Sequence, residues 1–188
     1  MNKIIAIVGM CGSGKSVASE YLENKGYEKV YFGGVTMDKL KESGLEIIPS
    51  NEKMMREKLR SELGMGAYAK ILLPKIKELS KKCNVVLDGL YSWDEYKILK
   101  NELDNLMVIA IICDKKIRYD RLATREFRPL TNEEASNRDV SEIENLAKGG
   151  PIAYADYYIN NNGSVEEYYQ RLNEILGSEY NEDRKSVV

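Results

Sequence analysis

The fold is decided by one glycine-rich stretch, Gly9-Met10-Cys11-Gly12-Ser13-Gly14-Lys15-Ser16. The stretch reads G-x-x-x-x-G-K-S, which is the pattern of a Walker A phosphate loop. An apolar run over residues 4–8 precedes it, and a helical pattern follows it from Val17. Strand, loop and helix therefore occur in the order that the motif requires. Because its four specified positions coincide by chance in only about 1% of chains of this length, the stretch predicts a site for a nucleoside triphosphate.

The chemistry of this loop follows from its residue types. Glycines carry no Cβ, so backbone N–H groups can wrap around a phosphate, and the N-terminus of the next helix adds partial positive charge. Lys15 is expected to reach the β- and γ-phosphates of ATP, and Ser16 to bind Mg²⁺. The predicted nucleotide-binding residues of the loop are Gly9, Met10, Cys11, Gly12, Ser13, Gly14, Lys15, Ser16 and Val17.

Composition narrows the classes of function. The chain has 188 residues, enough for one domain with its own core. A net charge of −2 disfavours a nucleic-acid partner. No apolar run has the length of a membrane span and no signal peptide is apparent, so we expect no membrane partner and a cytoplasmic location. The absence of histidine excludes histidine-based acid–base chemistry, and three widely spaced cysteines fit a reducing compartment.

Strand and helix patterns alternate along the chain, which predicts a mainly parallel sheet with helices on both faces. The predicted strands are 3–8, 28–32, 84–87, 106–113 and 157–160. The predicted helices are 15–24, 35–42, 52–62, 67–81, 93–101, 116–125, 132–146 and 165–176. The fold class is therefore α/β, a three-layer P-loop NTPase fold around a five-stranded parallel sheet.

An aspartate ends one of the buried strands, in Val85-Val86-Leu87-Asp88-Gly89-Leu90. At the carboxyl end of a parallel strand, Asp88 is expected to lie beside the phosphate loop and to hold the waters of Mg²⁺. ATP-hydrolysing motors usually carry a glutamate at the next position, where this chain has Gly89. The pattern thus favours transfer to a bound acceptor over hydrolysis. The alternative is an aspartate that starts a turn.

Arginines recur after the fourth strand. Arg118, Arg121 and Arg125 are spaced to lie on one face of a helix, and Arg128 follows in a loop. Phosphoryl transfer spreads negative charge over the γ-phosphate oxygens, so arginines on a closing lid stabilise the transition state and exclude water. Arg138 is a further candidate. The alternative is a solvated helix face, balanced by Asp114, Asp120 and Glu126.

The last predicted strand leads into Asn161-Asn162-Gly163-Ser164 and then a helix. In a parallel sheet of this order, the turn is expected to lie near the nucleotide base, where Asn161 and Gly163 would contact adenine. An equally weighted alternative is a plain turn in which Ser164 caps the helix.

These segments together resemble the nucleoside-monophosphate-kinase group of P-loop proteins, and most closely its dephospho-CoA kinase-like and adenylate-kinase-related members. The resemblance extends from Met1 to about Leu176 and includes the arginine-bearing segment 55–70. It implies a five-stranded parallel sheet, ATP with Mg²⁺ as cofactors and a small nucleotide-like acceptor. It also implies one kinase domain over 1–178, with a helical acceptor-binding insert at about 33–82, an arginine lid at about 125–140 and a polar tail at 179–188.

Two positions depart from the family pattern. Gly34 stands where an aspartate is expected, and Met37 where an arginine normally holds the acceptor phosphate. A hydroxyl acceptor needs a base, so the missing aspartate argues against phosphorylation of dephospho-CoA. The missing arginine argues against ordinary monophosphate binding, unless Arg56 or Arg60 replaces it. The alternative for both arginines is surface charge on a helix rich in lysine and glutamate.

The sequence therefore predicts an ATP-dependent phosphotransferase that acts on a nucleotide-like small molecule, with a nucleoside monophosphate slightly preferred over dephospho-CoA. A regulatory ATP-binding protein without efficient turnover is the rival from another class, and a hydrolysing motor subunit is a third. Oligomeric state stays open. The predicted catalytic residues are Lys15, Asp88, Arg121, Arg125 and Arg128; Arg121 is also predicted to bind the nucleotide. The predicted acceptor residues are Gly33, Gly34, Arg56, Arg60, Gly89 and Arg138.

Overall fold

The computed structural model describes residues 2–185 and contains one five-stranded sheet in which every strand pairing is parallel. The strand order is β2-β3-β1-β4-β5. The strands are β1 Ile4–Val8, β2 Glu28–Tyr31, β3 Val85–Asp88, β4 Leu106–Ile112 and β5 Tyr157–Asn160. Parallel strands need long crossovers, and helices supply these in the described part of the chain.

The helices connect the strands and cover the sheet. They are α1 Lys15–Asn24, α2 Gly34–Glu42, α3 Pro49–Leu63, α4 Ala67–Ser80, α5 Trp93–Glu102, α6 Lys115–Thr124, α7 Asn132–Leu146, α8 Gly149–Ala153 and α9 Val165–Lys185. None of the helices in residues 2–185 is long and apolar enough to cross a membrane.

Alternate residues of the central strand enter two separate cores. Ile4, Ala6 and Val8 pack in a cluster with α2, α3, α4 and α5 on one face. Ile5 and Ile7 pack on the other face, with α1 and α9. Since successive side chains of a strand point to opposite faces, an apolar strand buried on both sides requires this arrangement. The predicted three-layer α/β fold is confirmed.

The strand register brings the functional segments to one edge of the sheet. Ile7 of β1 pairs with Asp88 of β3, and Tyr31 of β2 pairs with the same residue on its other side. The phosphate loop, residues 9–16, leaves the end of β1. Asp88 therefore lies beside this loop at the carboxyl ends of the strands, where ligands bind in open parallel sheets.

The structure differs from the prediction at three places. Helix α6 ends at Thr124, and Arg125 has an extended backbone, so it does not continue the arginine face of the helix. Helix α8 was not predicted, because Gly149-Gly150-Pro151 carries helix-breaking residues. Helix α9 runs to Lys185 and so enters the segment expected to be a tail, whose last three residues lie outside the described part of the chain.

Candidate functional site

The backbone of the phosphate loop has positive φ angles at Gly9, Gly12 and Gly14. Gly12 and Gly14 have φ angles of 79° and 97°, in the left-handed region that side chains disfavour. A Cβ on Gly12 would lie 2.8 Å from the carbonyl oxygen of Arg118, and one on Gly14 would lie 2.3 Å from the Asn161 amide nitrogen. The loop is thus both turned and tightly enclosed by other parts of the chain.

Four side chains donate hydrogen bonds to backbone carbonyl groups of this loop. The bonds run from Lys15 Nζ to Met10 O at 2.9 Å, Arg118 Nη1 to Cys11 O at 2.8 Å, Asn161 Nδ2 to Ser13 O at 2.8 Å and Tyr168 Oη to Gly14 O at 3.0 Å. The first N–H groups of α1 have no partner within the helix. Because these bonds occupy carbonyl groups of the loop, its N–H groups remain available to an anion.

Lys15 carries its ammonium inside the loop. Removal from water and the nearby charge of Lys148 together lower the pKa of Lys15 to about 8, although Glu142 and Asp88 act in the opposite direction. Burial raises the pKa of Asp88, and the charge of Lys15 opposes that shift. An anionic ligand at this place would stabilise the charged form of Lys15.

Two side chains at the loop have the chemistry to hold Mg²⁺. The Ser16 hydroxyl is exposed at the start of α1, and the Asp88 carboxylate is half-buried at the end of β3. Within residues 2–185, no group of three or more His, Cys, Asp or Glu side chains forms a metal site. A hydroxyl and a carboxylate fit a cation that takes its other ligands from phosphate and water.

Arg118 and Arg121, predicted on the lid, lie against the loop. Arg118 is buried, and its guanidinium forms two bonds with the Asp139 carboxylate, at 3.0 and 2.6 Å. Arg121 is half-buried and donates to the carbonyl of Asn161 at 2.9 Å and to the sulfur of Cys113 at 3.4 Å. Arg118 is therefore a positioning residue for the loop, not a mobile cation.

The two later arginines lie in the connection between α6 and α7. Arg125 Nε donates to the Arg128 carbonyl at 2.7 Å, and Arg128 Nη2 donates to the Glu52 carboxylate of α3 at 3.0 Å. The φ of Arg128 is 52°, a left-handed conformation that is uncommon for a residue with a Cβ. This connection thus reaches across to the helical segment between β2 and β3.

A cavity of about 1100 Å³ lies between α2, α3, α4 and α7. Of the predicted acceptor residues, Gly33, Arg56, Arg60 and Arg138 line it, as does Arg128 from the predicted catalytic set; Gly34, Gly89, Arg121 and Arg125 do not. Its basic lining residues are Lys53, Arg56, Arg60, Arg128 and Arg138, and its acidic ones are Glu52, Glu57 and Glu142. The lining has an excess of positive charge, although the chain as a whole has a net charge of −2.

Arg60 is distinctive within this cavity. Its guanidinium lies over the ring of Tyr68, 5.6 Å from the centroid, and its buried Nε has no hydrogen-bond partner. In the described part of the chain, no carboxylate lies within ion-pair distance of it. By contrast, the carboxylate of Glu52 lies 3.6 Å from Arg56 and 3.0 Å from Arg128. An unpaired guanidinium facing a cavity is suited to bind an anionic group.

The turn after β5 supports the loop. Asn161 is 7% exposed, and its amide nitrogen is occupied by the bond to the Ser13 carbonyl. This bond helps to shape the loop, and the contact of Asn161 with adenine stays a prediction. Gly163 is exposed, and Ser164 and Glu167 exchange the hydrogen bonds of a helix cap, as the alternative interpretation expected.

Sequence reasoning missed Tyr168, Glu142, Tyr91 and Lys148. Tyr168 holds the loop, Glu142 and Tyr91 line the cavity, and Lys148 is a buried cation bonded to Glu142 at 2.5 Å. These residues lie outside any motif, and only the tertiary fold brings them to the site. Lys148 precedes two glycines, Gly149 and Gly150, and no motif in the sequence marks it.

Comparisons with known proteins agree with this fold. Residues 5–143 match the AAA_18 family, described as an AAA domain. The UPF0200 protein TK1334 of Thermococcus kodakarensis is 34% identical over 178 residues, covering 92% of this chain and 96% of its own. A UPF0200 protein of Sulfurisphaera tokodaii is also 34% identical over 178 residues, covering 93% and 96%. The chain therefore belongs to the AAA_18 family and to the same group as these UPF0200 relatives.

Solved structures share the fold at low sequence identity. TT1252 from Thermus thermophilus superposes with a TM-score of 0.64 and 19% identity, covering 94% of this chain and 97% of its own. A shikimate kinase from Bacteroides thetaiotaomicron has a TM-score of 0.57 and 16% identity, with coverages of 93% and 98%. A sugar kinase from Janibacter has a TM-score of 0.58 and 10% identity, with coverages of 92% and 92%. The chain thus has a P-loop kinase-like fold.

Proposed function

We propose that this protein is an ATP-dependent phosphotransferase that moves the γ-phosphoryl group to a small anionic acceptor, with a nucleoside or deoxynucleoside monophosphate preferred. One observation carries the proposal. The phosphate loop and a cavity with excess positive charge lie at the same edge of the sheet. Three residues of the cavity come from the strands beside the loop: Tyr31 ends β2, Gly33 follows β2, and Tyr91 follows β3. A donor site and an acceptor site that adjoin are what in-line transfer needs.

The donor half would hold ATP through the loop. Its N–H groups and Lys15 would bind the phosphates, and Ser16 and Asp88 would hold Mg²⁺, which neutralises phosphate charge when bound. The residue after Asp88 is Gly89, which cannot activate a water molecule. Gly89 therefore favours phosphoryl transfer over the ATP hydrolysis that a motor protein carries out, although the matched family is described as an AAA domain.

The acceptor half favours an ionised group over a hydroxyl. Every carboxylate that lines the cavity has a basic partner: Glu52 pairs with Arg128, Glu57 with Lys53 at 3.9 Å, and Glu142 with Arg138 at 3.1 Å. The neighbouring cations keep the pKa of Glu52 and of Glu142 below the ordinary value, so these two carboxylates are poor bases. A phosphate acceptor needs no base, only positioning and charge neutralisation, and Arg60 is available for that task.

The segment that carries Arg125 and Arg128 would serve as the lid. Its contact with Glu52 of α3 connects the two sides of the cavity, so closure would exclude water from the transferring group. Arg121, which lies against the loop, would complete the arginine set on the donor side. The domain boundaries, the insert at 33–82 and the lid at 125–140 form part of the same proposal.

The comparisons add support at the level of the fold. Two of the structures with similar folds are named as kinases of small molecules, shikimate and a sugar. Shikimate and sugars both carry hydroxyl groups. The absence of an unpaired carboxylate in the described cavity, together with Arg60, is our reason for preferring a phosphate acceptor in this chain.

The test is coupled ADP release from Mg·ATP with nucleoside monophosphates, deoxynucleoside monophosphates and dephospho-CoA added one at a time. We expect low basal release that rises at least tenfold with one monophosphate, and no release by Lys15→Met. Stimulation by dephospho-CoA alone would overturn the choice of acceptor. Tight ATP binding without stimulation by any compound would favour the regulatory protein instead.

A further inference from the structure

Lys148 is a buried lysine that the proposed reaction has not yet used. It directly precedes α8 and is 1% exposed. Its ammonium donates to the Glu142 carboxylate at 2.5 Å. Transfer of an ammonium out of water costs several kcal/mol unless partners compensate for it. A buried lysine at this place therefore requires an explanation.

The contacts of Lys148 place it directly behind two residues that line the cavity. Glu142 and Tyr91 both line the cavity, and the ammonium lies 4.8 Å from the centroid of the Tyr91 ring. The same ring packs against Gly89, the neighbour of Asp88. On the loop side, the charge of Lys148 is close enough to Lys15 to lower the pKa of that residue. The Lys148 ammonium thus lies directly behind Tyr91 and Glu142 of the cavity, within electrostatic reach of Lys15.

The hydrogen bonds of Lys148 leave capacity for another acceptor. An ammonium has three N–H donors, and among the residues that the structure describes only the Glu142 carboxylate accepts from it. Glu142 also accepts from Arg138 Nε at 3.1 Å, so its single negative charge faces two cations. The cluster of Arg138, Glu142 and Lys148 therefore has a net positive charge inside the protein.

We propose that Lys148 is a catalytic residue whose ammonium donates hydrogen bonds to the phosphoryl group as it passes from the nucleotide to the acceptor. This inference rests on the proposed function. In the transfer, an oxygen of the acceptor forms a bond to the γ-phosphorus, and the bond from that phosphorus to the bridging oxygen breaks, with its electrons staying on ADP. Lys148 forms no covalent bond and gives up no proton, and it offsets charge on the transferring oxygens.

The test compares nucleotides with and without the γ-phosphate. Affinities for ADP and for the non-hydrolysable β,γ-imido analogue of ATP are measured by calorimetry in the wild type and in Lys148→Met. We expect the variant to lose at least tenfold in affinity for the analogue and less than twofold for ADP, and its kcat to fall about 100-fold. Lys148→Arg should restore part of both losses. Equal loss for both nucleotides would mean a purely structural role and would overturn the proposal.

A second variant guards against a folding defect. Removing Lys148 leaves the buried Glu142 with one cation fewer, so Lys148→Met with Glu142→Gln removes both charges together. The double variant should show the same selective loss, and wild-type affinity for the analogue would overturn the proposal. Lys116→Met, at an exposed lysine, serves as the control. If the wild type binds neither nucleotide, the proposed function itself fails; if it binds the analogue and Lys148→Met binds equally well, only the role of Lys148 fails.

Discussion

At the scale of single residues, the phosphate loop depends on side chains that are distant in the sequence. Asn161 is 148 positions from Ser13, whose carbonyl it binds, and Arg118 is 107 positions from Cys11. Both act on carbonyl groups and so leave the loop N–H groups available to a ligand. The glycine motif shows where phosphate binds, but these contacts decide the direction in which the peptide groups point.

Replacement of Asn161 by alanine tests this dependence. The change leaves the buried Ser13 carbonyl without its donor, at a cost of about 1–3 kcal/mol. We expect Asn161→Ala to lower the free energy of unfolding by that amount and to weaken ATP binding, as measured by urea unfolding and calorimetry. Asn160→Ala, at an exposed neighbour, is the matched control. Unchanged ATP affinity in Asn161→Ala would contradict a role in shaping the loop.

The Arg118–Asp139 pair gives a second prediction. Both side chains are buried, and removing one partner leaves an uncompensated charge, which costs about 3–5 kcal/mol. We expect Arg118→Met to lose stability in this range in urea unfolding. Lys116→Met on the same helix removes an exposed pair and should cost less than about 1 kcal/mol. Similar small losses in both variants would show that the buried pair does not hold the loop.

At the scale of elements, helix α7 connects the two halves of the site. It begins with a capping box in which Thr131 and Glu134 exchange hydrogen bonds. Asp139 and Glu142 are three residues apart on this helix. Asp139 accepts from Arg118, which supports the loop, and Glu142 accepts from Lys148 and lines the cavity. Residues at this spacing lie on one helical face. Movement of α7 would therefore change the donor and acceptor sites together.

The contact between α3 and the lid predicts a dependence on pH. The hydrogen bond from Arg128 holds the pKa of Glu52 below its ordinary value of 4.5. A carboxyl whose pKa is lower in the folded state stabilises the fold above the unfolded pKa, and this contribution is lost as the pH falls through the folded value. The stability advantage of the wild type over Glu52→Gln should therefore shrink below about pH 4.5.

Urea unfolding at a series of pH values checks this prediction. Glu57→Gln is the control, since Glu57 is an exposed residue of the same helix and its partner Lys53 is 3.9 Å away. This variant removes a carboxylate from α3 without removing the lid contact. A difference between the wild type and Glu52→Gln that does not change with pH would mean that the lid contact contributes nothing to stability.

Most elements were predictable because their patterns are local. The apolar runs of β1, β3 and β4 are long enough to indicate strands buried on both faces, and the structure confirms them. The predicted end of α6 lies one residue from the observed end at Thr124, but the local pattern could not show that Arg125 is extended and that the chain then brings Arg128 to Glu52. Helix α8 packs on β4 and α5, contacts that override its glycines and proline.

At the scale of the whole molecule, charge is distributed unevenly. The chain has a net charge of −2, yet the cavity and the loop concentrate basic side chains at one edge of the sheet. Sequence reasoning found Arg56 and Arg60 as candidates but could not separate them. Their difference is tertiary: Arg56 lies 3.6 Å from Glu52, whereas Arg60 rests on Tyr68, and no carboxylate of the described residues lies within ion-pair distance of it. Lys148 was not predicted because its contacts with Glu142 and Tyr91 are also tertiary.

The most direct test of the central claim follows the γ-phosphoryl group itself. Mg·ATP is incubated with a mixture of the common nucleoside and deoxynucleoside monophosphates, and ³¹P NMR records where the phosphorus goes, with Lys15→Met as the control. We predict that the γ-phosphate signal of ATP is replaced by the β-phosphate signal of a new nucleoside diphosphate, and that Lys15→Met leaves ATP intact. Release of inorganic phosphate, or unchanged ATP with the wild type, would contradict the assignment of adjoining donor and acceptor sites.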